Sequence, residues 1–423
     1  MKKILTISAL CATMAYAGAD VLPVEKRTFE QSKFMPDISL IVDASMVNRD
    51  VDADEAPHLE IPGVAHGLLG SHSDGGATHS SNNAQNGFNV NYAELVLSSS
   101  VDPFLSMDGV FHFSEHGVEI EEVYFTSTAF GNGVRLRGGK FQSNFGYLNE
   151  QHQHSWNFAD MPLVYESFLG MHGINEKGIQ FQWVAPTSTY FMIGAEVLQG
   201  ENEQMFGNKS IAYTESGSIS ESADAPSLYV AYAKTSFDVG ETTLLAGVSY
   251  VKGATRLDHS SDDEEPHAFS GDSSLYGADL LVKHYFNSYS FLSFQSEYIA
   301  RSMDGTYYDD INSSVEPYTY ASESMTKEQA GLYSQLVYAH DKNWRVGVRY
   351  DSIIKNDVNS VSLEQALNKY SAMLEYHTSE FARFRLQYNR NNALYNEDGE
   401  QQKINTIMIQ ANISIGAHGA HSF

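Results

Sequence analysis

Cysteine is almost absent from the sequence, with one residue among 423. That residue, Cys11, lies in an N-terminal segment in which Lys2 and Lys3 precede a short apolar run and small residues at 15–17. A basic start, a short apolar stretch and small residues before a cleavage point are typical of a secretory signal peptide. We therefore expect residues 1–17 to be a signal peptide, and the exported chain to contain no disulfide bond.

Long apolar runs and positive charge are also scarce. After the first 17 residues, no stretch approaches the roughly 18 consecutive apolar residues that predict a transmembrane helix. Asp and Glu total 53 against 26 Lys and Arg, which gives a net charge of −27. A nucleic-acid partner is not expected, because phosphate binding requires clustered Lys and Arg. The sequence also lacks a phosphate loop, a dinucleotide fingerprint and a cysteine metal site.

Aromatic residues, by contrast, are plentiful, with 25 Tyr and 23 Phe against 10 Pro. Two stretches, 344–350 and 382–388, alternate apolar side chains with arginine, as Arg345 and Arg349 do in the first. Successive side chains of a strand point to opposite faces, so each stretch has one apolar face and one charged face. A transmembrane barrel places the apolar face in lipid and the charged face in its lumen.

The same alternation predicts about sixteen strands, an even number that places both ends of the barrel on its periplasmic side. Their expected starts lie near residues 37, 88, 104, 118, 133, 177, 189, 227, 241, 275, 290, 328, 342, 368, 380 and 403. Connections after even-numbered strands are tight turns rich in Gly, Pro, Asn, Asp and Ser, whereas most of those after odd-numbered strands are long. Long loops on one side and short turns on the other are typical of outer-membrane barrels.

These patterns predict an all-β fold, a transmembrane antiparallel β-barrel over residues 37–423 that follows a short periplasmic segment at 18–36. The expected loop one spans residues 48–87, loop three spans 142–176, and further long loops are expected at 200–226, 253–274, 303–327 and 391–402.

The last residue, Phe423, shares the parity of Ile413 and Ile415 in the last predicted strand. A terminal aromatic in this register resembles the signal by which the barrel-assembly machinery recognises its substrates. That machinery and outer-membrane lipid are therefore expected partners. The alternative is a frayed tail that happens to end in Phe.

The segment 138–186 is the most distinctive part of the chain and reads GGKFQSNFGYLNEQHQHSWNFADMPLVYESFLGMHGINEKGIQFQWVAP. It resembles a family of bacterial outer-membrane proteins described as zinc-regulated porins or receptors. It is also similar to the phosphate-selective porins O and P, in which a strand ending in Gly-x-Phe runs into a loop that contains Phe-Gly. The resemblance implies a barrel of sixteen to eighteen strands with loop three folded inward.

Charged residues on the inward face of such a barrel are expected to line its pore. Strand five faces strands thirteen to fifteen across a sixteen-strand ring, and acids on an inward loop three would narrow the space between them. Rings of charge at a constriction select ions by sign. Alternatively, the arginines pair with loop acids and hold the loop down, and both roles can hold together. The expected pore-lining residues are Arg135, Arg137, Arg345, Arg349, Arg383, Arg385, Glu150, Asp160 and Glu166.

Histidine is concentrated in loop one, with a second pair in loop three. Imidazole and carboxylate groups bind zinc, copper or nickel. The spacing fits no compact zinc motif, so weakly bound zinc is the one cofactor that we consider. The alternative is a solvated, hydrophilic loop. The expected metal ligands are His58, His66, His72, His79 and Asp74 in loop one, and His152 and His154 in loop three.

The expected function is that of a porin in the bacterial outer membrane through which small hydrophilic solutes or ions diffuse. Porins of this size are often trimers, so a homotrimer is an expected assembly. One alternative is a zinc-linked uptake channel or receptor that captures metal with loop one. A second is a structural or adhesive surface barrel with a closed lumen. An enzyme is not expected, because His79 and Ser80 are adjacent in a loop and form no nucleophile–base pair with a third orienting group.

Overall fold

Sixteen strands form a closed antiparallel barrel in the computed structural model, which describes residues 36–416 apart from 52–54, 67, 70, 75–76, 81, 115–116, 203, 215–216, 261–265, 313–318, 364 and 397. Each strand pairs with the next, and the last pairs with the first from Ser39 opposite Gly416 to Arg49 opposite Thr406. The predicted barrel of about sixteen strands is therefore confirmed. The predicted signal peptide, the predicted periplasmic segment except Pro36, and Phe423 lie outside the described residues.

The strands are numbered β1 to β16 in chain order. Their bounds are β1 Asp37–Arg49, β2 Gly87–Asp102, β3 Leu105–Ser114, β4 Gly117–Ser127, β5 Val134–Gln142, β6 Asn175–Val184, β7 Tyr190–Leu198, β8 Leu228–Val239, β9 Thr242–His259, β10 His267–Tyr285, β11 Phe291–Asn312, β12 Thr319–Ala339, β13 Trp344–Val358, β14 Asn368–Ser379, β15 Ala382–Tyr395 and β16 Gln401–Gly416.

The loops contain short elements of their own. They are helix α1 (Leu163–Leu169), the 3-10 turns Ala56–His58 and Gln153–Ser155, the paired segments Glu60–Ile61 and Ala65–His66, the hairpins Ser71–Asp74 with Ala77–Ser80 and Ile211–Thr214 with Gly217–Ser220, and the segment Val361–Ser362. Among the described residues, no helix is long and apolar enough to cross a membrane.

The connections alternate in length as predicted. Those after even-numbered strands are tight, as at residues 185–189, 240–241 and 380–381. Loop one occupies residues 50–86 and loop three residues 143–174, close to the predicted bounds. Long loops therefore leave one end of the barrel, and the two ends of the described chain meet at the other.

Three loops predicted to be long are much shorter in the structure. The predicted loops at 253–274, 303–327 and 391–402 are wrong in extent, because β9 to β12, β15 and β16 continue through most of them. The ladder between β9 and β10, for example, runs without interruption from Thr242 opposite His284 to His259 opposite His267. Beyond the lipid both faces of a strand meet water, so the apolar alternation ends although the hydrogen-bonded ladder continues.

An apolar belt surrounds the barrel. In β13 the exposed residues are Trp344, Val346, Val348 and Tyr350, while Arg349 between them is buried in the interior. Other strands contribute exposed apolar side chains of the same kind, among them Val248, Tyr276, Leu280, Tyr298, Leu336, Leu374, Leu386 and Ile409. A closed barrel with an apolar exterior and a polar interior is the arrangement that a lipid bilayer requires.

The interior of the barrel contains a packed apolar core rather than side chains of the wall alone. It joins buried residues of loop one, loop three and residues 199–227, the fourth loop, to inward-facing residues of β11 to β13. Leu59, Phe168 and Phe206 represent the three loops, and each is fully buried. Only loop three was predicted to fold inward, so the inward course of the other two is a finding of the structure.

The belt predicts how lipid-facing positions tolerate charge. Val348→Arg should lower the free energy of unfolding by about 2–4 kcal/mol, because an arginine at mid-depth on the lipid face must be desolvated or must deform the bilayer. Val361→Arg is the matched control, since Val361 is also exposed but lies beyond the end of β13. Unfolding by denaturant in phospholipid vesicles measures both, and equal losses would contradict the assignment of the belt.

Candidate functional site

Loop three approaches the barrel wall closely at Gly146. Gly146 has a φ of +61°, and a Cβ there would lie 2.3 Å from Glu297 Oε2 and 2.5 Å from the Tyr165 hydroxyl. Only glycine accepts both this conformation and this closeness without strain. The close approach brings the backbone of the next residues against the wall carboxylate of Glu297 on β11.

Wall carboxylates accept hydrogen bonds from the backbone of loop three. Glu297 accepts from the N–H groups of Tyr147 at 2.8 Å and Leu148 at 3.0 Å. Asp351 on β13 accepts from the N–H of Leu163, at the start of α1, at 3.0 Å. A buried N–H group without a hydrogen-bond partner destabilises the fold. These carboxylates accept hydrogen bonds from N–H groups that would otherwise be unpaired inside the barrel.

Wall cations donate to the carbonyl groups of the same loop. Arg349 donates to the Asp160 carbonyl at 2.8 Å, and Arg385 donates to the Trp156 carbonyl at 2.8 Å. Arg383 donates to the carbonyls of Trp156 and His154. The wall therefore supplies acceptors to one part of the loop and donors to another, which fixes its position in the lumen.

Asp160 is the acid of loop three with the most wall contacts. Its carboxylate lies 2.9 Å from Arg349 Nη2 and 3.0 Å from Lys369 Nζ, and accepts from Gln387 and Asn389. Burial alone would raise the pKa of Asp160, but Arg349 and Lys369 lower it well below its ordinary value. The charges balance here, because Asp160 and Asp351 face Arg349 and Lys369.

A second charge cluster, around Glu375 on β14, is not balanced. Glu375 lies 2.6 Å from Arg385, 3.6 Å from Arg345, and 3.8 Å from Arg383, and it also pairs with His377. One carboxylate therefore faces three guanidinium groups. Arg345 and Arg383 keep 31% and 12% of their side-chain surface exposed, against 1% for Arg385. The excess positive charge consequently lies on groups that water reaches.

The remaining predicted pore residues are more scattered. Arg135 donates to Gln182, and Arg137 lies over the Tyr124 ring at 4.3 Å. Glu150 keeps 32% of its side-chain surface exposed, 3.7 Å from Lys234 on β8. Glu166, on α1, is half-buried and burial raises its pKa to about 7. Neither Arg135 nor Arg137 forms an ion pair with loop three among the described residues.

Buried acids also lie on other strands of the wall. Glu196, Asp279 and Glu297, on β7, β10 and β11, are all buried and face the interior. Both carboxylate oxygens of Asp279 are buried and accept no hydrogen bond from the described residues. The lumen thus has an excess of positive charge on β13 to β15, whereas β7 to β11 carry buried acids together with the cations Lys234 and Arg301.

A third cluster begins at a β-bulge in β4. Val110 of β3 pairs with Glu122 and Phe111 pairs with Ile120, so Glu121 is an extra residue without a partner in the ladder. A bulge re-aims side chains. As a result the consecutive residues Glu121 and Glu122 are both buried in the interior, although strict alternation would send one of them outward.

Histidines from β3 and loop three complete this cluster. His112 Nε2 lies 2.7 Å from Glu121 and 3.0 Å from Glu94, which is on β2. His152 of loop three contacts Glu121 and Glu94 through Nδ1 and Glu122 through Nε2. Burial alone would lower the pKa of His152, but the carboxylates of Glu121 and Glu94 raise it well above its ordinary value.

His154, the second predicted ligand in loop three, joins the edge of the same cluster. Its Nδ1 lies 3.3 Å from Glu94 Oε2. Burial lowers its pKa, against the opposing effect of Glu94. The sequence therefore pointed to two members of the cluster. It did not point to the members on the wall, among which Glu121 enters the interior as the extra residue of the bulge.

Loop one runs inside the barrel against β11 and β13. Arg301 donates to the Val64 carbonyl at 2.8 Å, and Asn356 donates to the Pro62 carbonyl at 2.9 Å. This inward course was missed, although the apolar residues Leu59, Ile61, Val64 and Leu68 of the loop, now buried, were a signal for it.

The loop-one metal prediction stays a prediction. His58 ends a 3-10 turn and its side chain is exposed. The hairpin ladder places His72 directly opposite His79, next to the pair of Ser73 and Thr78. The side chains of His66, His72, Asp74 and His79 lie outside the described part of the structure.

Comparison with known proteins adds a family and a fold. No known family model matches the chain. An uncharacterised protein of Aquifex aeolicus (strain VF5) is 44% identical over 399 residues, which cover 93% of this chain and 81% of the relative. The chain belongs to the same family as that protein.

Solved structures share the fold at low sequence identity. The trimer form of OmpT, an outer-membrane protein of Vibrio cholerae, has a TM-score of 0.52 at 10% identity, covering 90% of this chain and 99% of its own. The outer-membrane channel DcaP of Acinetobacter baumannii has 0.52 at 12%, covering 91% and 99%. An anion-selective porin from Comamonas acidovorans has 0.50 at 11%, covering 90% and 100%. This chain has the fold of these outer-membrane proteins, and its apolar belt fits the bacterial outer membrane.

The contacts of Asp160 predict a pH-dependent contribution to stability. Asp160→Asn should lower the free energy of unfolding by about 2 kcal/mol at pH 7, because Arg349 and Lys369 lose a charged partner. The folded-state pKa of Asp160 is depressed, so its contribution is complete above the unfolded value of about 3.9 and is lost as pH falls below it. The free energy of unfolding, measured with denaturant, should therefore differ less between wild type and variant at pH 3 than at pH 7.

Glu166→Gln is the matched control in the same loop. Because the folded-state pKa of Glu166 is raised to about 7, its contribution is complete at low pH and is lost as pH rises through that value. The Gln variant should therefore unfold no more easily than wild type at pH 8. A loss at pH 7 equal to that of Asp160→Asn would show that any change in loop three destabilises the barrel.

Proposed function

We propose that the protein is an outer-membrane channel for small hydrophilic solutes or ions, narrowed by loop three. The observation that carries the proposal is a charged loop bound to the wall inside a closed barrel, beside charged side chains that water reaches. A barrel with a purely structural role needs only apolar side chains, or fully paired charges, in its interior. Here the accessible charges of Arg345, Arg383 and Glu150 remain inside.

The path between loop three and the β13–β15 wall is the proposed route for anions. Arg345 and Arg383 contribute positive charge that Glu375 only partly offsets. Positive groups beside a narrow, partly desolvated path lower the free energy of an anion there and raise that of a cation. Arg349 and Arg385, each with 1% of the side-chain surface exposed, only attach the loop, whereas Arg383 is partly exposed and also binds loop carbonyls.

A homotrimer is part of the proposal. Its support is the trimer form recorded for the similar Vibrio cholerae protein, whose likeness to this chain is one of fold. The barrel would then present one side of its belt to neighbouring copies and the other to lipid.

A zinc-linked uptake channel is the second candidate function. The observation that favours it is the backbone pairing of His72 with His79 in the loop-one hairpin, which sets two imidazole-bearing residues side by side. Zinc captured there would be delivered to the same lumen.

Single-channel recording in planar lipid bilayers tests the channel proposal. Purified, refolded protein should give discrete conductance steps at 1 M KCl, of a size limited by loop three. A refolded barrel that yields no steps would overturn the channel proposal and favour a structural or adhesive barrel with a closed lumen.

The accessible arginines should set the ion preference. The double variant Arg345→Gln/Arg383→Gln should lower the anion-to-cation permeability ratio by roughly two- to fivefold, because two screened positive charges leave the path. Reversal potentials in a KCl gradient measure the ratio. Lys355→Gln is the control, since Lys355 also lies on β13 but is exposed near the loop end and pairs with Glu328. An unchanged ratio in the double variant would leave these arginines a structural role only.

A further inference from the structure

The cluster at the bulge in β4 has the composition and spacing of a metal site. We propose that Glu94, Glu121, His112 and His152 bind one divalent metal ion with the ligand preferences of zinc. The proposal does not depend on the channel function. It differs from the loop-one prediction in position and, except for His152, in residues.

The ligand atoms are close enough to share one ion. One oxygen each of Glu94 and Glu121 and one nitrogen of His152 lie within 4.8 Å of one another. His112 Nε2 lies 2.7 Å from Glu121 Oε2 and 3.0 Å from Glu94 Oε2, and His152 Nδ1 lies 3.4 Å and 3.7 Å from the same two oxygens. Zinc bonds of about 2.0–2.2 Å in a tetrahedron place neighbouring ligand atoms roughly 3.3–3.6 Å apart. The four His–Glu distances, from 2.7 to 3.7 Å, bracket this spacing.

Two of these atoms are buried without a hydrogen bond. Glu121 Oε2 and His152 Nδ1 are inaccessible to water and form no hydrogen bond among the described residues, although each lies within ion-pair distance of its neighbours. Glu94 and Glu121 are 1% and 4% exposed. Buried polar atoms normally form hydrogen bonds, so two such atoms that lie 3.4 Å apart and form none indicate a ligand between them.

The backbone itself is arranged to bring the acids together. Glu121 enters the interior only because it is the extra residue of the bulge. Bulges occur where a side chain must be re-aimed, often beside a functional site. Glu122 then holds His152 through its second ring nitrogen at 3.0 Å. A carboxylate on the outer nitrogen of a metal-binding imidazole orients the ring and raises its basicity.

The donor set selects the class of metal. Two imidazole nitrogens and two carboxylate oxygens suit zinc, cobalt or nickel, whereas calcium and magnesium take oxygen ligands almost alone. The site would also join a loop to the wall, because three ligands lie on β2, β3 and β4 and the fourth on loop three. A bound ion would therefore fasten the part of loop three at His152.

The competing arrangement is an ion-pair cluster in which protons take the place of the metal. A metal binds only the neutral imidazole, so the ion must displace any proton that the cluster holds in its absence. Metal binding should accordingly release protons, and its measured enthalpy should change with the ionisation enthalpy of the buffer.

Metal titration of the full-length, chelator-treated and refolded protein tests the proposal. In isothermal titration, one zinc ion should bind to each protein chain, and protons should be released. Cobalt should give the visible absorption of a four-coordinate ion with nitrogen and oxygen ligands. Glu121→Gln and His152→Gln should each weaken zinc binding by about tenfold or more and abolish the cobalt spectrum.

Two control variants locate the ion. His284→Gln removes a histidine that hydrogen-bonds Thr242 far along β10, and should leave binding unchanged. The variant with His58, His66, His72 and His79 changed to Ala should retain the cobalt spectrum. His152 lies in a loop rather than in a strand of the barrel. His152→Gln therefore tests the site even if a variant of a wall residue fails to fold. Binding and spectrum unchanged in His152→Gln, loss of the spectrum in the loop-one variant, or no metal binding by wild type would each overturn the proposal.

Discussion

The backbone of loop three must find hydrogen-bond partners after it leaves water, and the rest of the site depends on that constraint. The wall meets it with side chains, since strand backbones are already paired in the barrel. Glu297 and Asp351 accept from the loop, and Arg349 and Arg385 donate to it. The charged inward face of the strands is therefore what allows a loop to occupy the lumen.

The same constraint separates the arginines into two groups. Arg349 and Arg385 are buried and donate hydrogen bonds to loop carbonyls and wall carboxylates. Arg345 lies on the same face with 31% of its side chain exposed, and its positive charge remains available to a passing ion. The inward-facing arginines therefore have two roles. The buried ones attach the loop, and those that remain exposed can act on a passing ion.

The sequence predicts the parts of the fold that lie in lipid and loses accuracy outside it. Alternation identifies all sixteen strands because lipid demands an apolar side chain at every second position. Beyond the lipid that demand ends, and the extended ladder between β9 and β10 leaves no such pattern. The inward acids Glu121 and Glu122 were missed for a related reason, since a bulge breaks the alternation that assigns side chains to a face. The contacts of loop three, as between Asp160 and Lys369, join residues far apart in sequence and follow only from the closed barrel.

The central claim is that loop three, held by the wall, limits the open cross-section of the barrel. The most direct test is the single-channel conductance of a variant that lacks residues 148–160, compared with wild type under the same salt. Removal of this segment deletes Trp156 and Asp160, which carry the contacts to Arg385 and Arg349. The account predicts a larger conductance from a barrel that still folds and inserts. A folded variant with the conductance of wild type would contradict it.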